Sequence, residues 1–432
     1  MYYFIGIKGT GMASLAIMLN DLGHEVKGSD LDKHFFTEDL LREKGIEILN
    51  FNPENIKEEY TVIIGNAFLE DFPEVMAARA KCTCYRYHEF LGVLMRDYKA
   101  VSIAGSHGKT TTTTMCKSVF EKFAKTGYLI GDGQGHLEKD SEYLCVESDE
   151  FRNHFHEYYP EDAIITNIEI DHVDFFKDED DYFASYQKFV DQVKENVLYF
   201  GDDKWCKKLS ITNKNGYSFG IEETNDFYPR DLKESAKGVE YDLIYKGQFL
   251  KHFVLPFVGR HLVIDSLGVI ALAYIKGFDL EMVEEALSDY HGPKRRYVIE
   301  EYRNSIFVDD YAHHPTEVKV TLEATKLRYP DKKIIAIFKP HRASRVLHFA
   351  NEFKEALLKA DKIYLLDFTS IDDKQDGTDI DINYLSNMID GSIVLSEDEE
   401  GAKMLAENGD AVYVFMSSKD IYNIAGWTKK YL

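Results

Sequence analysis

A β-like run, Ala100-Val101-Ser102-Ile103-Ala104, passes straight into Gly105-Ser106-His107-Gly108-Lys109-Thr110-Thr111 and then into a threonine-rich helix start. This order of strand, glycine turn and helix is the context that a phosphate loop requires. Small residues let backbone N–H groups converge on phosphate oxygens, and the helix N-terminus adds positive potential. Lys109 is spaced to reach the β- and γ-phosphates of a nucleotide, and Thr110 to ligate Mg²⁺. The usual pattern has another glycine five residues before Gly108; Ile103 stands there, so this is a shorter variant. The expectation is an enzyme that binds ATP-Mg²⁺ through residues Gly105 to Thr111.

The rest of the chain alternates in the same way, which predicts an α/β protein built from parallel βαβ units. Strand-like runs at Tyr2 to Ile7, Glu25 to Gly28 and Thr61 to Gly65 are interleaved with helix-period segments at Met12 to Leu22 and His88 to Met95. Further strands are expected at Tyr143 to Val146, Ala163 to Thr166 and Val197 to Phe200, then a polar hairpin-like stretch from about Tyr217 to Phe257, then helices at Leu262 to Ile275 and Glu281 to Tyr290. The helical pattern breaks at His291-Gly292-Pro293, and strands at Ser305 to Val308, Lys333 to Phe338, Lys362 to Leu366 and Ala411 to Phe415 follow. Three domains result, 1–98, 99–295 and 296–432, in keeping with 432 residues, since a single core stops growing near roughly 250.

Charge narrows the partners. With 51 Lys plus Arg against 75 Asp plus Glu, a net charge of −24 repels nucleic acid and anionic membranes. The N-terminus lacks a basic leader and no run of about 18 apolar residues occurs, so a cytoplasmic protein is expected. Five cysteines suit reduced thiols, and Cys82 and Cys84 are too close for the usual zinc spacing.

Other clusters fall at strand ends. Gly6-Ile7-Lys8-Gly9-Thr10-Gly11 inverts the spacing of the dinucleotide fingerprint but still offers either a pyrophosphate cradle or a plain turn, with Asp30 ending the next strand. Glu147, Glu150 and Thr166-Asn167-Ile168-Glu169-Ile170-Asp171-His172 combine hard carboxylates with one imidazole, a donor set suited to Mg²⁺. Asp309-Asp310-Tyr311-Ala312-His313-His314-Pro315 and His341-Arg342-Ala343-Ser344-Arg345 put bases where a carboxylate or phosphate could be clamped. Paired histidines before a proline are also a helix-entry pattern with buried imidazoles.

Taken together, GIKGTGM, GSHGKTT, TNIEIDH, GPKRRY and VDDYAHHPTEV resemble the Mur ligase family over essentially the whole chain. The resemblance implies a Rossmann-like N-terminal domain, a central phosphate-loop ATPase-like domain and a Rossmann-like C-terminal domain. It also implies ATP- and Mg²⁺-dependent joining of L-alanine to UDP-N-acetylmuramate through an acyl phosphate, by a monomer or homodimer. In that reading Gly6, Gly9, Thr10, Gly11, Asp30 and Asn66 hold the UDP-sugar; Thr110, Glu147 and His172 hold Mg²⁺; and Asp310 touches the ATP ribose. Lys109 and Arg296 approach the transferred phosphate, and His313, Arg342 and Arg345 bind the amino acid and stabilise the intermediate.

Two positions depart from the family pattern. Asp265 stands where an asparagine usually meets adenine, and Met416-Ser417-Ser418-Lys419-Asp420-Ile421 replaces a glycine-rich turn. The alternatives that remain are a ligase recycling a preformed tripeptide, an impaired regulatory homologue and, from the N-terminal glycines alone, an NAD-dependent or nucleotide-sugar oxidoreductase.

Overall fold

The computed structural model describes residues 1–173, 175–368 and 380–432. It contains three α/β sheets, each within one segment of the chain. The first is five-stranded and wholly parallel, in the order Glu47–Asn50, Val26–Asp30, Tyr2–Ile5, Thr61–Ile64, Thr83–Arg86. The order in which strands are added reverses between Tyr2–Ile5 and Thr61–Ile64, and at such a switch point a crevice opens beyond the strand ends. Gly6 follows the first of these strands, and Asn66 follows the second after one residue.

In the central sheet Lys99–Ala104 lies between Tyr143–Glu147 and Asp162–Ile165, all parallel. Val101, Ile103, Ala163 and Ile165 are fully buried, as expected of strands covered on both faces. Asn196–Phe200 and Asn215–Phe219 extend the sheet in parallel. The stretch read from sequence as one hairpin is instead this last parallel strand plus a three-stranded antiparallel ribbon, Phe227–Ser235, Gly238–Tyr245 and Gln248–Leu255. Its alternation is blurred because β-bulges shift the register twice.

The third sheet is led by the antiparallel edge strand Val298–Tyr302, which sequence reading missed because it is largely polar and exposed. Ser305–Asp310, Val412–Met416, Ile334–Phe338, Lys362–Leu365 and Ile393–Val394 follow in parallel. Helix Arg260–Ile275 is largely buried from Val263 to Ala273 and packs on helix Lys109–Phe120, which starts at the phosphate loop.

One apolar cluster runs from the first sheet into the central one, joining Phe4, Leu15 and Leu91 to Leu144, Phe155 and Phe189. The third domain has its own core on each face of its sheet, and Ile170 and Val173 of the central domain lean against one of them. Among the described residues, no helix is long and apolar enough to cross a membrane.

Candidate active site

The phosphate loop connects strand Lys99–Ala104 to helix Lys109–Phe120. Gly108 caps the helix in the left-handed region at φ 82°, and a Cβ there would come 2.6 Å from Asp265 Oδ1, so glycine is required on both counts. The TNIEIDH segment braces the loop: His107 N–H donates to Asn167 Oδ1 at 2.9 Å, and Ser106 Oγ donates to Glu169 O at 2.6 Å. Lys109 lies back over the loop with Nζ 2.7 Å from Glu150 Oε2. Burial on its own would lower the Lys109 ammonium, but the carboxylates of Glu150, Asp149 and Glu147 outweigh it and raise its pKa.

Two acidic groups flank this lysine. Thr110 Oγ1 donates to Glu147 Oε1 at 3.0 Å, while Gly131 N–H donates to Glu147 Oε2 at 2.7 Å. His172 sits beside Glu150, with Nε2 3.8 Å from Oε1, and donor atoms of Asp149, Glu150 and His172 lie within 4.8 Å of one another. The predicted metal set of Thr110, Glu147 and His172 is thus divided, Thr110 bonding to Glu147 while His172 lies beside Glu150. Hard carboxylates, a threonine hydroxyl and one imidazole fit Mg²⁺ better than a soft-ligand metal.

Next to the loop lies a cavity of about 670 Å³ lined by His107, Gly108, Thr111, Asp265, Arg296 and Asp310, a volume in the range of nucleotide-sized ligands. Burial pushes the Asp265 carboxyl up to about 8, so at neutral pH it holds a proton and can donate as an amide does. Asp310 accepts from the amides of Tyr297 and Ala312, both at 2.8 Å, and burial raises it to about 6. Arg296 stretches across the seam, with Nη2 3.5 Å from Thr110 Oγ1 and Nη1 3.9 Å from Glu317 Oε1.

On the third domain, His313 Nδ1 stands 3.1 Å from Glu317 Oε2. Arg345 is buried and engages Asp171 of the central domain through two of its nitrogens, with Nη2 2.7 Å and Nε 3.1 Å from Oδ1. Arg342 caps helix Ala343–His348 at a left-handed φ of 67°, its guanidinium carbon 5.8 Å from the Phe151 ring centroid. Sequence reading gave Glu150 and Asp171 a place in a possible Mg²⁺ donor set but no charge partner, and gave Glu317 no role. Lys109, Arg345 and His107, which pair with them in turn, lie 41, 174 and 210 residues away, so no local spacing betrays these pairs, whereas His313–Glu317 is local.

At the N-terminal crevice, Gly6 has φ 82° and a Cβ there would collide with the Phe68 ring. Gly9 caps helix Thr10–Asp21, which continues through Gly11. Asp30 Oδ2 accepts from the Lys8 amide at 2.7 Å, bracing the glycine loop. Lys8 Nζ in turn meets Glu38 at 2.7 Å. Asn66 lies toward the central domain, its Oδ1 3.1 Å from His88 Nδ1 and its Nδ2 3.4 Å from His154 Nδ1.

Known proteins resemble this chain over nearly its whole length. Three family profiles match in succession: "Mur ligase family, catalytic domain" over residues 1–99, "Mur ligase middle domain" over 103–273 and "Mur ligase, glutamate ligase domain" over 294–419. The UDP-N-acetylmuramate–L-alanine ligase of Lacticaseibacillus casei is 40% identical over 421 residues, 97% of this chain and 96% of that protein. The crystal structure of a UDP-N-acetylmuramate-alanine ligase from Thermotoga maritima superposes with a TM-score of 0.81 at 26% identity, covering 100% of this chain and 98% of that one. A murein peptide ligase from Psychrobacter arcticus shares the fold, with a TM-score of 0.73 at 21% identity over 100% and 97% of the two chains. The chain belongs to the Mur ligase family.

Proposed function

We propose that this protein joins L-alanine to UDP-N-acetylmuramate at the expense of ATP, in the assembly of peptidoglycan precursors. The observation that carries the reading is a phosphate loop whose His107 and Thr110 meet Glu317 and Arg296 of the third domain, in a chain whose N-terminal sheet also ends in a glycine turn at its switch point. Near-full-length similarity to a ligase of that name supports the substrate pair.

In this reading Gly6, Gly9, Thr10, Gly11, Asp30 and Asn66 bound the UDP-sugar site, and residues Gly105 to Thr111, Asp265 and Asp310 bound the nucleotide. Thr110, Glu147 and His172 would hold Mg²⁺, with Asp149 and Glu150 within reach; the ion supplies positive charge against the phosphate oxygens. Lys109 exchanges Glu150 for the phosphates when nucleotide binds.

A carboxylate oxygen of the muramate attacks the γ-phosphorus, the bond to the β-bridging oxygen breaks and ADP leaves. Lys109 and Arg296 offset negative charge that grows on the transferring group. The alanine amine then attacks the acyl carbon, and inorganic phosphate leaves as the amide forms. Arg342 and His313 face the incoming amino acid. Arg345, already held by Asp171, fixes the third domain against the central one so that water is kept from the acyl phosphate.

The test is phosphate release from ATP and Mg²⁺ with UDP-N-acetylmuramate, against a panel of amino acids and the tripeptide. Release only when sugar and alanine are both present is the expected result. Equal hydrolysis without the sugar contradicts a ligase, and preference for the tripeptide makes this a recycling ligase.

A further inference from the structure

Helix Pro315–Arg328 opens on a capping box in which the Glu317 carboxylate accepts from the amides of His313 at 2.9 Å and His314 at 3.2 Å. That accounts for a glutamate at this position, though a capping glutamate needs no partner beyond its own helix. Here the same carboxylate, with 11% of its side chain exposed, also stands 3.3 Å from His107 Nδ1 of the phosphate loop and 3.9 Å from Arg296. The opposite nitrogen of His107 is 3.2 Å from Glu169 of the central domain. Glu169 in turn accepts from the hydroxyl of Thr316, the residue before Glu317, at 2.8 and 2.9 Å. Two links therefore cross one seam in opposite directions, His107 to Glu317 and Thr316 to Glu169.

We propose that Glu317 is a positioning residue for the ligation, acting through His107 to set the phosphate loop only when the third domain is docked. This rests on the ligase reading above. A buried carboxylate separated from its cation is strongly disfavoured, so the loop imidazole and the docked domain favour one another. Ser106 bonds within the central domain, to Glu169 O and Tyr182, so the loop meets the third domain through the His107 ring and, at its helix end, through the 3.5 Å contact of Thr110 Oγ1 with Arg296. Glu317 also meets His313 of its own domain, whose Nδ1 lies 3.1 Å from Oε2, so one carboxylate aligns the loop with the residue facing the amino acid. Burial on its own would lower His107, but Glu169 and Glu317 outweigh it and raise its pKa to about 10, consistent with a standing imidazolium.

Glu317→Gln keeps an oxygen for the helix cap and removes the charge. Steady-state kinetics are measured for wild type, Glu317→Gln, His107→Gln and the double variant, with thermal melting of each. A charged hydrogen bond lost from the working arrangement predicts a fall of about 10-fold or more in kcat for Glu317→Gln, with the UDP-sugar KM within about twofold. The double variant should be no slower than His107→Gln alone. Multiplying losses, or a Glu317→Gln enzyme with wild-type kcat, overturns the proposal. If Glu317→Gln does not fold, His107→Gln carries the test: it should raise the amino-acid KM from across the seam, and an unchanged KM overturns the proposal. Wild type that releases phosphate without sugar and amino acid defeats the ligase reading, and this proposal with it; a coupled wild type with multiplying losses defeats this proposal alone.

Discussion

Arg345 and Asp171 form a fork-to-carboxylate pair across the seam between the third and central domains, with Nη2 2.7 Å from Oδ1 and 3.1 Å from Oδ2. Both side chains are more than nine-tenths buried. Burial on its own would raise the Asp171 carboxyl, but Arg345 and nearby histidines outweigh it and hold it well below the usual carboxylate range.

Removing one partner of a buried pair strands the other, at a cost of about 3 to 5 kcal/mol to the docked arrangement. Asp171→Ala and Arg345→Ala should each raise the amino-acid KM by about 10-fold or more, on the order of a charged hydrogen bond. The double variant should resemble either single one. Amino-acid KM values for the three variants check this, and multiplying effects would put Arg345 on the substrate independently of Asp171.

Lys109→Ala removes a charged donor beside the transferring phosphoryl group and should lower kcat by about 10²-fold or more. Single-turnover phosphate release measures it. Near-wild-type turnover would move charge stabilisation away from the phosphate loop.

Glu147→Gln and His172→Ala each delete one oxygen or nitrogen donor while leaving the loop intact. Each should raise the Mg²⁺ concentration needed for half-maximal turnover, read from metal titrations at saturating substrates. An unchanged Mg²⁺ requirement in both would make them structural groups.

Asp265 gives a pH dependence with a definite sign. Its folded carboxyl keeps a proton to about 8, whereas the ordinary value is 3.8. The folded state therefore binds more protons between those limits, so this group's contribution is full below about pH 4 and falls as pH rises toward 8. Asp265→Asn removes the fall, and its stability advantage over wild type should be larger at about pH 8 than at about pH 5 by denaturant midpoints. Equal differences at the two pH values would contradict the buried neutral acid.

Strand and helix positions along most of the chain were legible because parallel sheets buried on both faces leave continuous apolar runs such as Ile334 to Phe338. Edge elements were not: Val298–Tyr302 and Glu47–Asn50 are half solvated and short, so neither periodicity nor hydropathy marks them. At the candidate site, glycine turns and the residues beside them could be named from sequence, since local backbone demands fix them. The pairs Lys109–Glu150, His107–Glu317 and Arg345–Asp171 could not, because each is made by folding distant strand ends together. Asp265 reads as a defect in sequence, yet burial gives it the donor that an ionised carboxylate lacks.

The most direct test of the account uses UDP-N-acetylmuramate labelled with ¹⁸O in its carboxylate, incubated with ATP, Mg²⁺ and L-alanine. If the carboxylate attacks the γ-phosphorus, one labelled oxygen passes to inorganic phosphate for each amide formed, and mass analysis of the released phosphate finds it there. Amide formation with unlabelled phosphate would contradict the acyl phosphate and the roles given to the residues around it.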